Sequence, residues 1–257
     1  MSSTSYTEVI DGLKRLKLST IRQHLDDYLR LAESRSMSHL EFLTGLVKEE
    51  LQGRDASNYQ RRLRAARFPM VKRLDEFDFA FQPSLSETRL NSLRECRWIE
   101  NAENVVFAGQ AGVGKTHLSI GLGVEAIERG YKVYFTTVAD LLDQMALAAT
   151  TNQLFTLQKK LLKFDGIILD ELGYEKINRQ QGNFLFRLIS KAYENTSIIV
   201  TTNKDFAGWA DIFDDQVQVS ALLDRLLHHV VLFAVKGESY RIKGPKEKEE
   251  EQNESDL

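Results

Sequence analysis

A single cysteine, Cys96, excludes an intrachain disulfide and any metal site built from several cysteines, and it fits a reducing compartment. No histidine or helix-start signal stands beside it, so plain packing accounts for it. Apolar runs all fall short of the ~18 residues that a membrane-spanning helix needs. The segment from Met1 to Tyr6 is polar, uncharged and not followed by an apolar stretch, unlike a secretory signal. No membrane role is expected, and the cytoplasm is the expected location. Internal repeats are absent as well. What remains is ordinary: 257 residues, 42% hydrophobic and 28% charged. That is enough chain for one large domain, or a medium domain with a smaller appendage.

The net charge of -3 hides an uneven distribution. Arg54, Arg61, Arg62, Arg64, Arg67, Lys72 and Arg73 lie in one run against a lone acid, Asp55, and Arg61 and Arg64 share a helical face. Such a stripe neutralises phosphates without reading bases, which suits duplex DNA; a solvated charged helix face is the ordinary alternative. Lys159, Lys160, Lys176 and Arg179 are secondary candidates for the same role. At the other end the stretch from Lys246, with Glu247, Glu249, Glu250, Glu251, Glu254 and Asp256 and no aromatic, has too little apolar surface for a core and is expected to be disordered.

Helical periodicity dominates the first 68 residues. Leu18, Ile21, Leu25, Leu29 and Ala32 form an amphipathic stripe within a helix read from Leu13 to Ala32. A second helix is expected from Ser38, where Glu41 completes a capping box and Leu40, Leu43, Val47 and Leu51 supply the apolar face. A third is expected from about Asn58 to Phe68, with Pro69 ending it. The sum is a small helical bundle over residues 1–68. A linker over 69–100 then carries Phe77, Phe79, Phe81 and Pro83, an extended aromatic passage that should pack against the adenine side of a nucleotide domain. From 101 to 244 short β-branched runs alternate with helical segments: Val105–Phe107, Val133–Phe135, Ile167–Leu169, Ile198–Val200 and Val230–Leu232. Continuous apolar strands separated by helices mean an α/β fold with a parallel sheet covered on both faces. Residues 245–257 form the acidic tail.

Two motifs carry the chemistry. The run Gly109, Gln110, Ala111, Gly112, Val113, Gly114, Lys115, Thr116 follows the first strand and opens a helix at His117, the context of a phosphate-binding loop. Its glycines turn backbone N–H groups toward a β-phosphate, and the helix N-terminus adds its dipole. Lys115 is expected on the β- and γ-phosphates of ATP, and Thr116 on Mg²⁺. The third strand ends in Asp170 and Glu171 at the carboxyl edge of the sheet, where such folds place their ligands. Asp170 is expected to complete the Mg²⁺ shell and Glu171 to polarise the attacking water. The next strand ends on Asn203, whose amide suits a γ-phosphate sensor; an Asn closing a strand in a turn is the plain alternative. Two adjacent acids on one strand, with Asn203 on the next, favour the ATPase branch of P-loop folds over nucleotide kinases.

The order of these motifs, the passage Phe77-Asp78-Phe79 with Phe81-Gln82-Pro83-Ser84, and the closing Gly237-Glu238-Ser239-Tyr240-Arg241 resemble the IstB family over nearly the whole chain. Those are ATP-binding helpers of bacterial insertion-sequence transposition, close to the DnaC-type helicase loaders. The resemblance implies a P-loop NTPase of the AAA+ initiator-type clade. It further implies a homo-oligomer on duplex DNA that presents target DNA to an IstA-type transposase and stimulates it. By the same resemblance Arg225, in Asp224-Arg225-Leu226, matches an arginine finger and Arg241 a second sensor. The stretch from Asp140 to Leu162 matches the extra helix with which initiator-type proteins stack. Two other classes stay open beside it. A DnaC-like replicative helicase loader should carry an exposed apolar patch on its bundle and lack a strong basic helix. A small-molecule kinase would need a lid with paired arginines.

Overall fold

The computed structural model describes residues 3–240. Arg241 and the acidic stretch from 245 onward lie outside the described residues. The chain divides into two compact units between Arg61 and Arg62.

In the first unit the stripe read as one helix from Leu13 to Ala32 is broken into α1 (Ser3–Arg15) and α2 (Ser19–Arg35). Lys17 takes a left-handed conformation with φ of 58°. The Leu18 amide donates to the Leu13 carbonyl and the Lys17 amide to that of Lys14, the paired bonds of a Schellman stop. The apolar spacing runs through the break because Leu13 and Leu18 both join the cluster around Ile21, Leu25 and Leu46. Spacing alone therefore could not reveal it.

The helices expected from Ser38 and from Asn58 are one, α3 (His39–Ala66). Nothing between them stops a helix: Gly53 weakens it by only about 1 kcal/mol, and no proline intervenes. The capping box is present, with Ser38 N–H donating to Glu41 at 2.8 Å and Glu41 N–H to Ser38 Oγ at 3.3 Å. The expected apolar face is not the packed one. Leu40, Leu43, Val47 and Leu51 are 44 to 74% exposed, whereas α3 packs on α2 through Leu46, Phe42 and two glycines. A Cβ at Gly45 would lie 2.6 Å from the Tyr28 ring, and one at Gly53 2.3 Å from Thr20 Oγ1. The seats that these two glycines leave for the Tyr28 and Thr20 side chains decide which face is buried.

Glu50 locks that pairing. Buried at 4% exposure, it accepts from the Thr20 and Ile21 amides at 2.9 and 3.1 Å and from Arg54 Nε at 2.9 Å. These are amides at the start of α2, which has no capping side chain of its own. Burial pushes the Glu50 carboxyl up, but the Arg54 guanidinium and the two amides outweigh it and hold the group below its usual range. Glu50→Ala is expected to cost about 1–2 kcal/mol, the range for a lost cap, and to speed amide exchange at Thr20 and Ile21, which hydrogen exchange reads residue by residue. The depressed carboxylate stabilises the fold above its ordinary titration range, and that contribution fades as pH falls through the folded value.

In the second unit α3 stops at Ala66, with Arg67 left-handed at φ of 61° just before Pro69. A connector follows, holding α4 (Glu87–Leu93) and α5 (Arg97–Glu100). The remainder alternates: β1 (Asn104–Gly109), α6 (Lys115–Glu128), β2 (Val133–Thr137), α7 (Val138–Thr150), α8 (Leu154–Leu161), β3 (Gly166–Leu172), α9 (Arg179–Ala192), β4 (Ser197–Thr202), α10 (Gln216–Leu227) and β5 (Val230–Val235). All five expected strands are found. They form one parallel sheet in the order β2-β3-β4-β1-β5.

β1 to β4 are largely buried on both faces, whereas the edge strand β5 is only partly covered, with Ala234 exposed. Val106, Ile167, Leu169, Ile198 and Val200 pack with α7 to α10, while the alternate Ile168 faces Gly123 of α6. Cys96 is buried, and its burial pushes the thiol up to about 11, so it stays protonated and inert. No helix among the described residues is long and apolar enough to cross a membrane.

Candidate nucleotide site

β1 delivers Gly109 to the carboxyl edge of the sheet, where a Cβ would lie 2.1 Å from the Val235 carbonyl oxygen on β5. Gly112 and Gly114 then take φ of +83° and +93°, conformations that open the loop for backbone donors and start α6 at Lys115. Val113 is fully buried beneath the loop. Lys115, 8% exposed, donates from Nζ to the Gln110 carbonyl at 2.7 Å, so its ammonium is held inside the loop.

Below the loop three side chains form a hydrogen-bonded chain. Thr116 Oγ1 lies 3.0 Å from both Asp170 carboxylate oxygens, and Thr201 Oγ1 donates to Asp170 Oδ1 at 2.5 Å. Thr201 Oγ1 in turn accepts from the Glu171 amide at 2.9 Å. Asp170 is 3% exposed; burial pushes its carboxyl up against the opposing pull of the two hydroxyls. A hydroxyl and a carboxylate oxygen set beside a phosphate loop suit Mg²⁺, which completes its shell with phosphate oxygens and water rather than with a cage of protein ligands. Accordingly, the described residues hold no cluster of three or more His, Cys, Asp or Glu.

Glu171 has φ of 62° at a register shift between Leu169 and Leu172 of β3 and their β4 partners. That irregularity breaks the alternation of the strand and leaves Glu171 exposed next to buried Asp170. On the neighbouring strand end, Asn203 Oδ1 is buried with no hydrogen-bond partner among the described residues and lies 2.8 Å from where a Gly173 Cβ would sit.

Of these groups Lys115, Thr116, Glu171 and Thr201 line a cavity of about 680 Å³, with Gly112 on the same phosphate side and Pro69, Met70, Phe77 and Tyr240 on the other. The aromatic connector closes over the loop. Phe77 lies against Gly114 and stacks edge-on to His117 and Tyr240. His117 donates from Nε2 to the Arg73 carbonyl at 2.8 Å, so it fastens the connector as well as lining the cavity. Tyr240 donates its backbone N–H to the Gly112 carbonyl and packs its ring 4.0 Å from that of Phe81. Its phenol, pushed up to about 12 by burial and then by Asp78, donates to the Asp78 carbonyl. Thr201 escaped the sequence reading, because a threonine closing a β-branched run carries no separate signal.

The remaining candidates, Lys72 excepted, lie elsewhere. Arg225 donates to the Ala221 carbonyl at 3.0 Å and stacks 4.6 Å from the Phe186 ring. In the first unit Arg54 is tied to Glu50 and to the Lys17 carbonyl, and Arg61 to Asn58. In the second, Arg62 donates to the Ile127 carbonyl, Arg67 lies over Tyr134, Arg73 pairs with Glu128, and Lys72 lines the nucleotide cavity. Arg64, Lys160 and Lys176 are exposed, Arg179 sits 3.6 Å from Asp215, and Lys159 stacks on Phe155.

The family model described as IstB-like ATP binding protein matches residues 11–248. A Pseudomonas aeruginosa protein named as an ATP-binding protein of insertion sequence IS21 is 40% identical over 231 residues, 90% of this chain and 87% of its own length. A Geobacillus stearothermophilus counterpart from IS5376 is 39% identical over 93% of this chain and 95% of its own. Among solved structures, AMPPCP-bound DnaA from Aquifex aeolicus superposes with a TM-score of 0.56 at 21% identity, over 71% of this chain and 56% of that one. The DnaC helicase loader does so with a TM-score of 0.50 at 21% identity, over 58% and 87%. At such identities these likenesses carry the fold, that of the AAA+ P-loop NTPases.

Proposed function

This chain belongs to the family of IstB-like ATP binding proteins, and from that membership we propose that it is an ATP-dependent DNA-binding helper of transposition. It binds ATP in the cavity above the β1–α6 loop and hydrolyses it to ADP and phosphate. It assembles as a homo-oligomer on duplex DNA, presents that DNA to the IstA-type transposase of its insertion sequence and stimulates it. One observation supports the ATPase reading above the others: the chain from Thr116 through Asp170 and Thr201 to the Glu171 amide, directly beneath the phosphate loop.

Thr116 and Asp170 would hold Mg²⁺, which when bound neutralises charge on the β- and γ-phosphate oxygens. The loop amides cradle the phosphates, and Lys115 exchanges its bond to the Gln110 carbonyl for phosphate oxygens. Glu171 accepts a proton from the attacking water, and the unpaired Asn203 oxygen orients that water. Phe77, Met70 and Tyr240 offer apolar surface for the base. The insertion-sequence names of the relatives support the transposition role.

A helicase loader is the second reading, favoured by the exposed face of Leu40, Leu43, Val47 and Leu51 on α3. Mobility shifts with duplex and single-stranded DNA, with and without ATP, separate the two: preference for the duplex supports the transposition helper, preference for single strands the loader. Lys115→Ala is expected to lower ATP affinity by about 100-fold or more, the scale of a lost charge-assisted contact to phosphate. The nucleotide-free melting curve should not move, and calorimetric titration of ATP at wild-type affinity would end the assignment.

A further inference from the structure

Away from the nucleotide cavity, α8 and α9 enclose a groove of about 670 Å³. Its polar lining is Arg187, Lys191 and the amides of Asn152, Gln158, Gln180 and Asn183, with no carboxylate among them. Phe155 stands in it 59% exposed. Lys159 Nζ lies 4.5 Å and Lys191 Nζ 5.3 Å from the centroid of that ring. An aromatic face thus gathers two ammonium groups that would otherwise repel each other, and neither ammonium has a carboxylate partner among the described residues. Lys191 also donates to Gln158 Oε1 at 2.9 Å, which fixes its position from a buried side chain, and Gln158 Nε2 is left with no partner among the described residues. Exposed Arg187 adds a third cation one helical turn before Lys191.

Uncompensated cations, amide donors and an exposed ring describe a surface built for a polyanion with hydrogen-bonding edges. An isolated phosphate would engage the ammonium pair and leave the exposed amides of Asn152, Gln180 and Asn183 without a ligand contact. A nucleic-acid strand uses both, because phosphates meet the cations while amides and the ring meet sugars and base edges. The basic run around α3 is a weaker candidate on the same criterion: Arg54 and Arg73 are already paired with acids, and Arg62 is spent on a backbone carbonyl.

We infer that the α8–α9 groove, with Lys159 and Lys191 gathered about Phe155 and Arg187 on its lining, is the surface that grips the sugar-phosphate backbone of DNA. This rests on the reading that the chain binds DNA, and it names the residues that do so.

The test uses the full chain with an ATP analogue and a labelled duplex, followed by fluorescence anisotropy across salt. Lys159→Gln with Arg187→Gln removes two exposed cations and leaves the structural bond of Lys191 intact. About tenfold or more loss of affinity is expected, with a salt slope shallower by about 2, near the ~0.9 per phosphate contact of duplex DNA. Phe155→Leu should lose several-fold and Phe155→Trp should keep wild-type binding, since the larger ring still holds both ammonium groups. Unchanged ATP affinity in every variant shows that the fold is intact. Wild-type affinity and slope in the double variant would overturn the proposal and leave the groove to an acidic protein segment. A wild-type chain that binds no duplex would also overturn it, but would remove the DNA-binding reading with it, which the first result leaves standing.

Discussion

Arg225→Ala is expected to bind ATP normally and to hydrolyse it about 10³- to 10⁵-fold more slowly, the range for an arginine that reaches the γ-phosphate from a neighbouring subunit. The position of α10 carries the argument. Its last turn meets the first residue of β1, where Asn104 Nδ2 donates to the Leu226 carbonyl at 2.9 Å. The phosphate loop begins at the other end of that strand, after Gly109. Six residues of strand put about 17 Å between the two edges, so Arg225 sits at the wrong edge for its own ATP. Nor does it have a carboxylate partner among the described residues; it contacts the Ala221 carbonyl and the Phe186 ring. A helix-surface pair would be worth only ~0.3–0.5 kcal/mol of stability, an effect far too small to mimic the rate loss. Mixing decides whether the arginine acts in trans. Lys115→Ala subunits cannot hold ATP but carry an intact Arg225, so adding them to Arg225→Ala should restore part of the activity. Absence of rescue at every ratio, with mixed assemblies demonstrated, would count against a finger in trans, and normal turnover by Arg225→Ala alone would rule it out.

Glu171→Gln should lower hydrolysis by about 10²- to 10⁴-fold, the usual contribution of a general base, while ATP and DNA stay bound. The amide keeps the size of the carboxylate. The bond that fixes this residue, its own backbone N–H to Thr201 Oγ1, does not involve the side chain. The bulge and the positive φ therefore survive, and so does the contact between Thr116 and Asp170 one residue away. Only the capacity to take a proton is lost. Measuring single-turnover hydrolysis together with DNA retention separates this from a folding defect. Near-wild-type turnover would remove Glu171 from the mechanism, and loss of ATP binding would mean that it supports the site rather than reacts in it.

Much of the nucleotide-binding core was legible because its signals are local. Val105–Phe107 and Ile167–Leu169 read as buried strands from composition alone, and both lie inside the sheet. The phosphate loop was legible for the same reason: Gly112 and Gly114 are required by the positive φ they adopt, a property of single residues. Asp170 and Glu171 were legible as a pair but not as two environments. Which of them is buried and which exposed follows from a register shift against β4, whose cause lies in a strand some 30 residues away.

The helices of the first unit failed in an instructive way. Leu40, Leu43, Val47 and Leu51 form a regular apolar stripe and yet stay exposed. Burial went instead to the face on which Gly45 and Gly53 admit Tyr28 and Thr20 and Glu50 meets the α2 amides. Periodicity counts apolar residues and is blind to the seats that glycines leave and to a buried acid that finds three donors. Similarly, the cations of the α8–α9 groove come from two helices, so their gathering about Phe155 leaves no trace in either run of sequence.

By itself the sequence determined what depends on neighbours along the chain: the alternation of strands and helices, the phosphate loop, the acids at a strand end, the capping box at Ser38 and the stop before Pro69. Tertiary structure alone decided which stripe of α3 is buried, that Thr201 ties Asp170 to Glu171, that Arg225 stands at the far edge from its own phosphate loop, and which cations lack a counter-charge. The division has one physical cause. Backbone conformation and periodicity are set within a few residues, whereas burial, hydrogen-bond partnership and electrostatic compensation depend on groups that only folding brings within reach.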